Sequence, residues 1–135
     1  MEYKIKASSI SNKDANIQIK KSEIAFGTTS ESAEVLPNPA ELFLGAFASC
    51  MLKNVERFSI MMKFTYLKAE VHVSALRIEK PLKMDNLNYK LTIFSSDENL
   101  NILLLKKNIE KFGTIYNTVK LSCTINGVVL QNKTF

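Results

Sequence analysis

The chain has 135 residues and a formal net charge of +5, from 18 basic and 13 acidic side chains. This length suits one compact domain, residues 1–135, and a hydrophobic content of 46% argues against a disordered chain. Two cysteines and one histidine cannot supply a four-ligand zinc site of the Cys/His type, so we expect neither a metal nor another cofactor.

The basic residues are dispersed along the chain, and both arginines, Arg57 and Arg77, are isolated. Nucleic-acid binders concentrate such charge and favour arginine, so we expect no nucleic-acid partner. No stretch approaches the roughly 20 apolar residues of a membrane span, and residues 1–6 are polar and alternating, unlike a signal peptide. We therefore expect a soluble cytoplasmic protein with reduced thiols and no membrane partner.

The first 26 residues predict two or three short strands, because apolar and polar residues alternate within them. Ser11–Asp14 is typical of a turn between strands. Small polar residues from Gly27 to Leu36 then predict a loop of about ten residues.

Asn38-Pro39-Ala40-Glu41 predicts the start of a helix. Asn38 suits the N-cap, Pro39 the first helical position, and Glu41 the position that reaches back to the cap amide. The helix should continue to about Met62 and is apolar on every side until Lys53. We expect it to be buried all round, inside the domain or between subunits.

The rest of the chain alternates strands with one helix, which gives an α+β fold class. The predicted elements are a strand at 66–77, a connection at 81–85, a strand at 87–94, a helix of about 14 residues from Asp97-Glu98 to a stop at Gly113, and a strand at 120–130 broken by a turn at Asn126-Gly127. His72 falls on the polar face of the first of these strands, where we expect it to be exposed.

Cys50 lies in the middle of the apolar helix, where it could be either a packing residue or a reactive thiol. The run from Asn38 to Cys50 resembles the signature of the OsmC/Ohr family, the osmotically inducible and organic hydroperoxide resistance proteins. The resemblance implies antiparallel sheets wrapped around a long central buried helix in an intertwined homodimer. It also implies that Cys50 is a peroxidatic cysteine, which reduces an organic hydroperoxide, becomes a sulfenic acid and is restored by an external thiol.

An apolar wall suits such a substrate, and Phe43, Phe47 and Met51 are the candidate substrate-binding residues, with core packing as the alternative for each. The reaction needs a thiolate, whereas an unperturbed thiol is only a few per cent ionised at neutral pH. Cys50 is also too far from the N-cap to benefit from the helix dipole. A cation or several hydrogen-bond donors must therefore approach the sulfur.

The candidate catalytic residues besides Cys50 are Glu41, Lys53 and Arg57. Peroxidase members of the family carry a glutamate directly after the motif proline and an arginine on an N-terminal strand. Here Ala40 follows the proline, and no arginine precedes Arg57. Glu41 comes one residue later and has helix capping as its alternative role, while Lys53 and Arg57 follow Cys50 by one and two helical turns and have solvent exposure as theirs.

The family's resolving cysteine is also missing, because Gly113 stands in its place. Cys123 shares a predicted inward face with Leu121 and Ile125, which favours a core role, although a disulfide with Cys50 stays open. The sequence thus favours thiol-dependent reduction of organic hydroperoxides in oxidative stress defence. The alternative is a catalytically degenerate relative that binds an apolar small molecule at the dimer interface.

Overall fold

The computed structural model describes all residues 1–135, which divide into two compact units, residues 1–43 and 44–135. The organisation as a single domain stays a prediction. The elements, in chain order, are β1 (Lys6–Ser9), β2 (Ala15–Ile19), β3 (Ser22–Phe26), a 3-10 turn (Ser30–Ser32), α1 (Pro39–Met61), β4 (Lys68–Glu79), β5 (Leu82–Phe94), α2 (Ile102–Phe112), α3 (Thr114–Val119) and β6 (Ile125–Asn132).

The first unit contains an antiparallel meander in the order β1-β2-β3. Its two reversals place Asn12 and Lys20 in the left-handed region, at φ values of 65° and 54°. The predicted three strands and the turn between the first two are confirmed. The loop that follows differs from the expectation in one respect, because Thr29 caps a 3-10 turn within it through a reciprocal hydrogen bond with Ser32.

The predicted start of α1 is confirmed down to its hydrogen bonds. The Glu41 backbone N–H donates to Asn38 Oδ1 at 2.9 Å, and the Asn38 N–H donates to Glu41 Oε1 at 3.0 Å. This capping box satisfies two amides that the first helical turn would otherwise leave unpaired. The carboxylate of Glu41 is thereby engaged in holding the helix end.

One face of α1 is buried and the opposite face is exposed, so the expectation of burial all round is wrong for the single chain. The buried face consists of residues spaced three or four apart, as one helical stripe requires: Phe47, Met51, Asn54, Val55 and Phe58. Gly45, Ser49 and Leu52 lie on the exposed side. Burial of the exposed face between two subunits stays a prediction.

The second unit contains a sheet in the order β4-β5-β6. β4 and β5 form an antiparallel hairpin in which Glu79 pairs with Leu82, so only Lys80 and Pro81 connect them. The predicted connection at 81–85 is therefore wrong beyond Pro81, because residues 82–85 belong to β5. Along β5, Leu87, Tyr89, Leu91 and Ile93 face the core, as alternation predicts.

β6 lies parallel to β5, which is the exception to the expected antiparallel pairing. The physical reason is its connection, because residues 95–124 contain two helices and can return the chain to the start of β5. The predicted turn at Asn126-Gly127 is also wrong. Gly127 pairs with Tyr89, whose ring covers it so closely that a Cβ on Gly127 would lie 1.9 Å from Tyr89 Cε1.

The second helix begins later than predicted. Asn101 caps α2 by accepting a hydrogen bond from the Leu104 N–H at 3.0 Å. Asp97 instead accepts from the backbone amides of Asn99 and Thr65, both at 2.8 Å. These hydrogen bonds lower the pKa of Asp97 and tie the turn before α2 to the chain before β4.

A short third helix, α3, follows Gly113 and was not predicted. Gly113 closes α2, with its N–H bonded to Ile109 O, and also begins α3. Its φ of −76° is ordinary for any residue, so the glycine interrupts the helical path without ending helical structure. None of the helices is long and apolar enough to cross a membrane.

Candidate active site

Cys50 is a free, half-buried thiol in α1. It lies at the border between the buried and the exposed faces of the helix, because Phe47 and Met51 are fully covered while Ser49 is exposed. A sulfur at such a border is supported by the core on one side and is reachable from the other. Cys50 is therefore only partly covered by the rest of the chain.

The side chain that hydrogen-bonds to this sulfur is Asn54, one helical turn after Cys50. Asn54 Nδ2 lies 3.6 Å from Cys50 Sγ and 3.0 Å from the Cys50 backbone oxygen. Asn54 is itself buried, with 8% of its surface exposed. The sequence analysis missed this residue, although an asparagine four positions after a helical cysteine is the signal that could have found it.

The junction between α2 and α3 lies beside Asn54. A Cβ on Gly113 would be 3.7 Å from Asn54 Nδ2, 3.0 Å from Tyr116 Cβ and only 2.8 Å from the Ile109 backbone oxygen. Gly113, which the family resemblance places where a resolving cysteine is expected, thus lies near the amide of Asn54, and its missing side chain leaves room for the Ile109 carbonyl and for Tyr116.

Cys123 is also a free thiol, and its predicted core position is confirmed by an exposed fraction of 8%. Its Sγ donates to the Met84 backbone oxygen at 3.2 Å. Cys123 precedes β6, and Leu121 is exposed, so the predicted common inward face of the two is wrong. The reason is that residues before Ile125 form a turn, in which strand alternation does not apply.

Aromatic rings pack on the helix next to the cysteine. The ring of Phe47 lies 6.0 Å from that of Tyr89 and 5.9 Å from that of Tyr116. Phe47 and Met51 have at most 1% of their surface exposed, so within one chain both are packed core residues. Phe43, in the first unit, is half-buried. Their roles as a substrate wall stay predictions.

The carboxylate of Glu110 accepts hydrogen bonds from both tyrosines of this aromatic group. The hydroxyls of Tyr89 and Tyr116 both donate to Glu110 Oε2 at 3.0 Å, and Lys106 Nζ lies 3.2 Å from both carboxylate oxygens. Burial, and then the neighbouring carboxylate, raise the pKa of Tyr116 to about 12 and that of Tyr89 in the same direction. Both tyrosines are thus neutral donors at ordinary pH.

The basic candidates are exposed on α1. The guanidinium carbon of Arg57 lies 5.3 Å from the centre of the Phe58 ring and 5.9 Å from that of Phe112, a stacked arrangement of cation on aromatic rings. Neither Lys53 nor Arg57 hydrogen-bonds to Cys50. Their roles in catalysis, like that of the capping residue Glu41, stay predictions.

His72 is exposed on β4, as predicted, and pairs across the hairpin with Lys90. No group of three histidine, cysteine, aspartate or glutamate side chains is arranged to hold a metal ion.

The sequence model of a protein family described as OsmC-like protein matches residues 30–127. The chain belongs to the OsmC-like protein family. The match includes the 3-10 turn, the cysteine-bearing helix α1 and the α2–α3 junction that borders Asn54.

Solved structures of OsmC-like and organic hydroperoxide resistance proteins share the fold. An OsmC-like protein from Mycoplasma pneumoniae is 17% identical, with 98% of this chain and 99% of that chain covered and a TM-score of 0.85. An organic hydroperoxide resistance protein from Elizabethkingia anophelis is 14% identical over 98% and 99% of the two chains, with a TM-score of 0.72. The organic hydroperoxide resistance protein OhrB of Bacillus subtilis is 13% identical over 94% and 98%, with a TM-score of 0.62. A comparison with curated proteins gives no match.

Proposed function

We propose that this OsmC-like protein reduces organic hydroperoxides with Cys50 as the peroxidatic residue, in defence against oxidative stress. The observation that carries the proposal is a free thiol at the border of a buried helix face, hydrogen-bonded by a buried amide. Membership in the family and the fold shared with two organic hydroperoxide resistance proteins support it.

In the proposed reaction the Cys50 thiolate attacks the terminal oxygen of the hydroperoxide. The S–O bond forms as the O–O bond breaks, the sulfur loses two electrons, and the departing alkoxide takes a proton from water. The products are a sulfenic acid on Cys50 and an alcohol. An external thiol then condenses with the sulfenic acid and releases water, and a second external thiol frees Cys50 from the mixed disulfide.

We propose an external reductant because neither of the two positions considered for a resolving cysteine supplies an accessible thiol. Gly113 has no side chain, and Cys123 is buried with its thiol donated to Met84 O. The substrate class is proposed from the fold shared with two organic hydroperoxide resistance proteins, because Phe47 and Met51 are buried within one chain and offer a substrate little surface. An alkyl or aryl hydroperoxide has an apolar group that gains from burial, whereas hydrogen peroxide has none.

We also propose that the protein acts as a homodimer in the cytoplasm. Both thiols are free, which suits a reducing compartment. The exposed side of α1 carries the small residues Gly45 and Ser49 beside the apolar Leu52, a surface on which a second helix can pack closely. Lys53 and Arg57 extend from the Cys50 side of the same helix and are proposed to attract the anionic leaving group.

The test is to trap the sulfenic acid. We expect that cumene hydroperoxide followed by a sulfenic-acid probe labels Cys50, as located by mass spectrometry, and that Cys50→Ser abolishes both the label and peroxide consumption with an external thiol. Cys123→Ser is the matched control and should retain both. If Cys50 stays unlabelled at peroxide far above stoichiometric concentration, the protein is not a hydroperoxide reductase.

A further inference from the structure

The amide of Asn54 is fixed in its orientation by the backbone of Cys50. A carbonyl oxygen only accepts hydrogen bonds, so the contact of 3.0 Å between Asn54 and Cys50 O identifies the nearby atom as the amide nitrogen. That nitrogen carries two protons, and the second is available to Cys50 Sγ at 3.6 Å. One turn of the helix therefore places this donor within hydrogen-bond distance of the sulfur.

The surroundings of Asn54 keep this donor in place. Asn54 belongs to the buried face of α1, and the α2–α3 junction lies near its amide, since a Cβ on Gly113 would be 3.7 Å from Asn54 Nδ2. A buried donor is little weakened by competing water, and hydrogen bonds to ionised acceptors are about twice as strong as those between neutral groups. A donor in such a position stabilises a negatively charged acceptor more than a neutral one.

We propose that Asn54 is a catalytic residue, whose amide stabilises the Cys50 thiolate by a direct hydrogen bond in the place of a cation. The part that this thiolate plays in peroxide reduction rests on the proposed function of Cys50. Asn54 gives up no proton in the reaction; it donates the hydrogen bond that holds the attacking sulfur in its reactive, ionised form.

Besides Cys50, the elements around it carry charged and titratable groups, namely Glu41, Lys53, Glu56 and Arg57 on α1, Lys106, Lys107, Glu110 and Lys111 on α2, Tyr116 on α3, and Lys83, Asp85, Tyr89 and Lys90 on β5. All of them are retained in the variants described next. A difference between variants therefore reports on Asn54 alone.

The experiment measures the rate at which iodoacetamide alkylates Cys50 as a function of pH, in a Cys123→Ser background so that one thiol is present. Asn54→Ser removes the contact with the sulfur, while its short hydroxyl still serves the Cys50 backbone oxygen one turn earlier. Asn54→Asp keeps the size of the side chain but puts a negative charge beside the sulfur. Ser59→Ala is the matched control, since Ser59 is a buried polar residue of α1 that bonds to Glu56 O.

We expect Asn54→Ser to move the midpoint of the alkylation profile upward by about one pH unit and to lower the rate at neutral pH roughly tenfold. Asn54→Asp should move the midpoint further in the same direction, and Ser59→Ala should leave it unchanged. Thermal unfolding of each variant shows that it is folded. Unchanged profiles in folded Asn54→Ser or Asn54→Asp would overturn the proposal.

Alkylation requires no peroxide, so the result separates the two ideas. A profile that depends on Asn54, in a protein whose Cys50 forms no sulfenic acid, would retain the amide's role and reject the peroxidase. Sulfenic acid formation on Cys50, together with an alkylation profile that does not depend on Asn54, would support the peroxidase and reject the role of the amide.

Discussion

The tyrosines of the second unit show how the surroundings of a single residue set its chemistry. Tyr89 and Tyr116 share the carboxylate of Glu110, and Tyr66 donates to Glu56 in the same way. Burial, and then the bonded carboxylate, raise the pKa of Tyr66 to about 12, as they do for Tyr116. A phenol whose pKa is raised on folding contributes stability that is complete below its unfolded value of 10 and is lost as the pH rises toward 12.

We predict that Glu110→Gln lowers the pH at which Tyr116 ionises, because the amide removes the negative charge that opposes the phenolate. Absorbance of the phenolate during an alkaline titration measures this shift. Glu56→Gln is the matched control, since it should affect Tyr66 and leave Tyr116 unchanged. A Tyr116 titration that Glu110→Gln does not move would show that burial alone sets its pKa.

Residue patterns also explain which part of the site was predictable. Cys50 was singled out because the helix start and the apolar run before it resemble a family signature. Asn54 was missed because the search for a partner considered cations, whereas the hydrogen bond to Cys50 Sγ comes from a neutral amide one turn away. Arg57 points the way that its helical spacing suggests, but its guanidinium stacks on Phe58 and Phe112, contacts that no sequence pattern of α1 reveals.

At the scale of elements, the least accurate predictions concerned two glycines, Gly113 and Gly127. Asn126-Gly127 has the composition of a turn, yet both residues lie in β6 because the ring of Tyr89 needs the space over Gly127. Gly113 has the position of a helix stop, yet α3 begins directly after it. At Gly127 tertiary packing, rather than backbone freedom, explains the glycine, and local propensity contains no information on such packing. At Gly113 the close atoms are Ile109 O and Tyr116 Cβ of the two adjoining helices.

We predict that Gly127→Ala lowers the free energy of unfolding by about 1–3 kcal/mol, the usual cost of inserting a methyl group into a filled space. The reason is the Cβ position 1.9 Å from Tyr89 Cε1, which forces the ring to move. Urea unfolding measures the change. The same substitution in a Tyr89→Leu background is the control and should cost less, and equal costs in the two backgrounds would show that the ring is not the obstacle.

Elements with strong local signals were predicted correctly. The capping box of Asn38 and Glu41 begins α1 at the expected residue, and alternation along β5 places the expected side chains in the core. The start of α2 was wrong by a few residues because Asp97, which resembles an acidic first turn, serves Thr65 and Asn99 instead. Hydrogen bonds between distant segments therefore limited the prediction more than helix or strand propensity did.

At the scale of the whole molecule, the single chain leaves apolar surface exposed. Leu52 on α1, Leu103 on α2 and Leu130 on β6 are among the exposed large side chains. A net charge of +5 opposes non-specific association between copies but does not remove the free energy gained by covering this surface. Pairing of two copies, which the family resemblance led us to expect, is the arrangement that we propose covers it.

We predict that Gly45→Leu dissociates the proposed dimer. In one chain a Cβ on Gly45 meets no atom within 4 Å, so replacing glycine inside a helix should stabilise an isolated chain by about 1 kcal/mol. In a dimer paired along the exposed side of α1, the leucine would instead hold the two copies apart. Sedimentation equilibrium gives the oligomeric state, and a stabilised, equally dimeric Gly45→Leu variant would place the contact elsewhere.

The parallel pairing of β6 with β5 implies an order of assembly for the second sheet. The β4–β5 hairpin closes over two residues, whereas β6 reaches its partner only after residues 95–124 have formed α2 and α3. Closing the longer loop costs more chain entropy and is slower, so the hairpin forms early and β6 docks late. By the same logic β6 is the strand that detaches first, and its departure would bare the ring of Tyr89 while the hairpin persists.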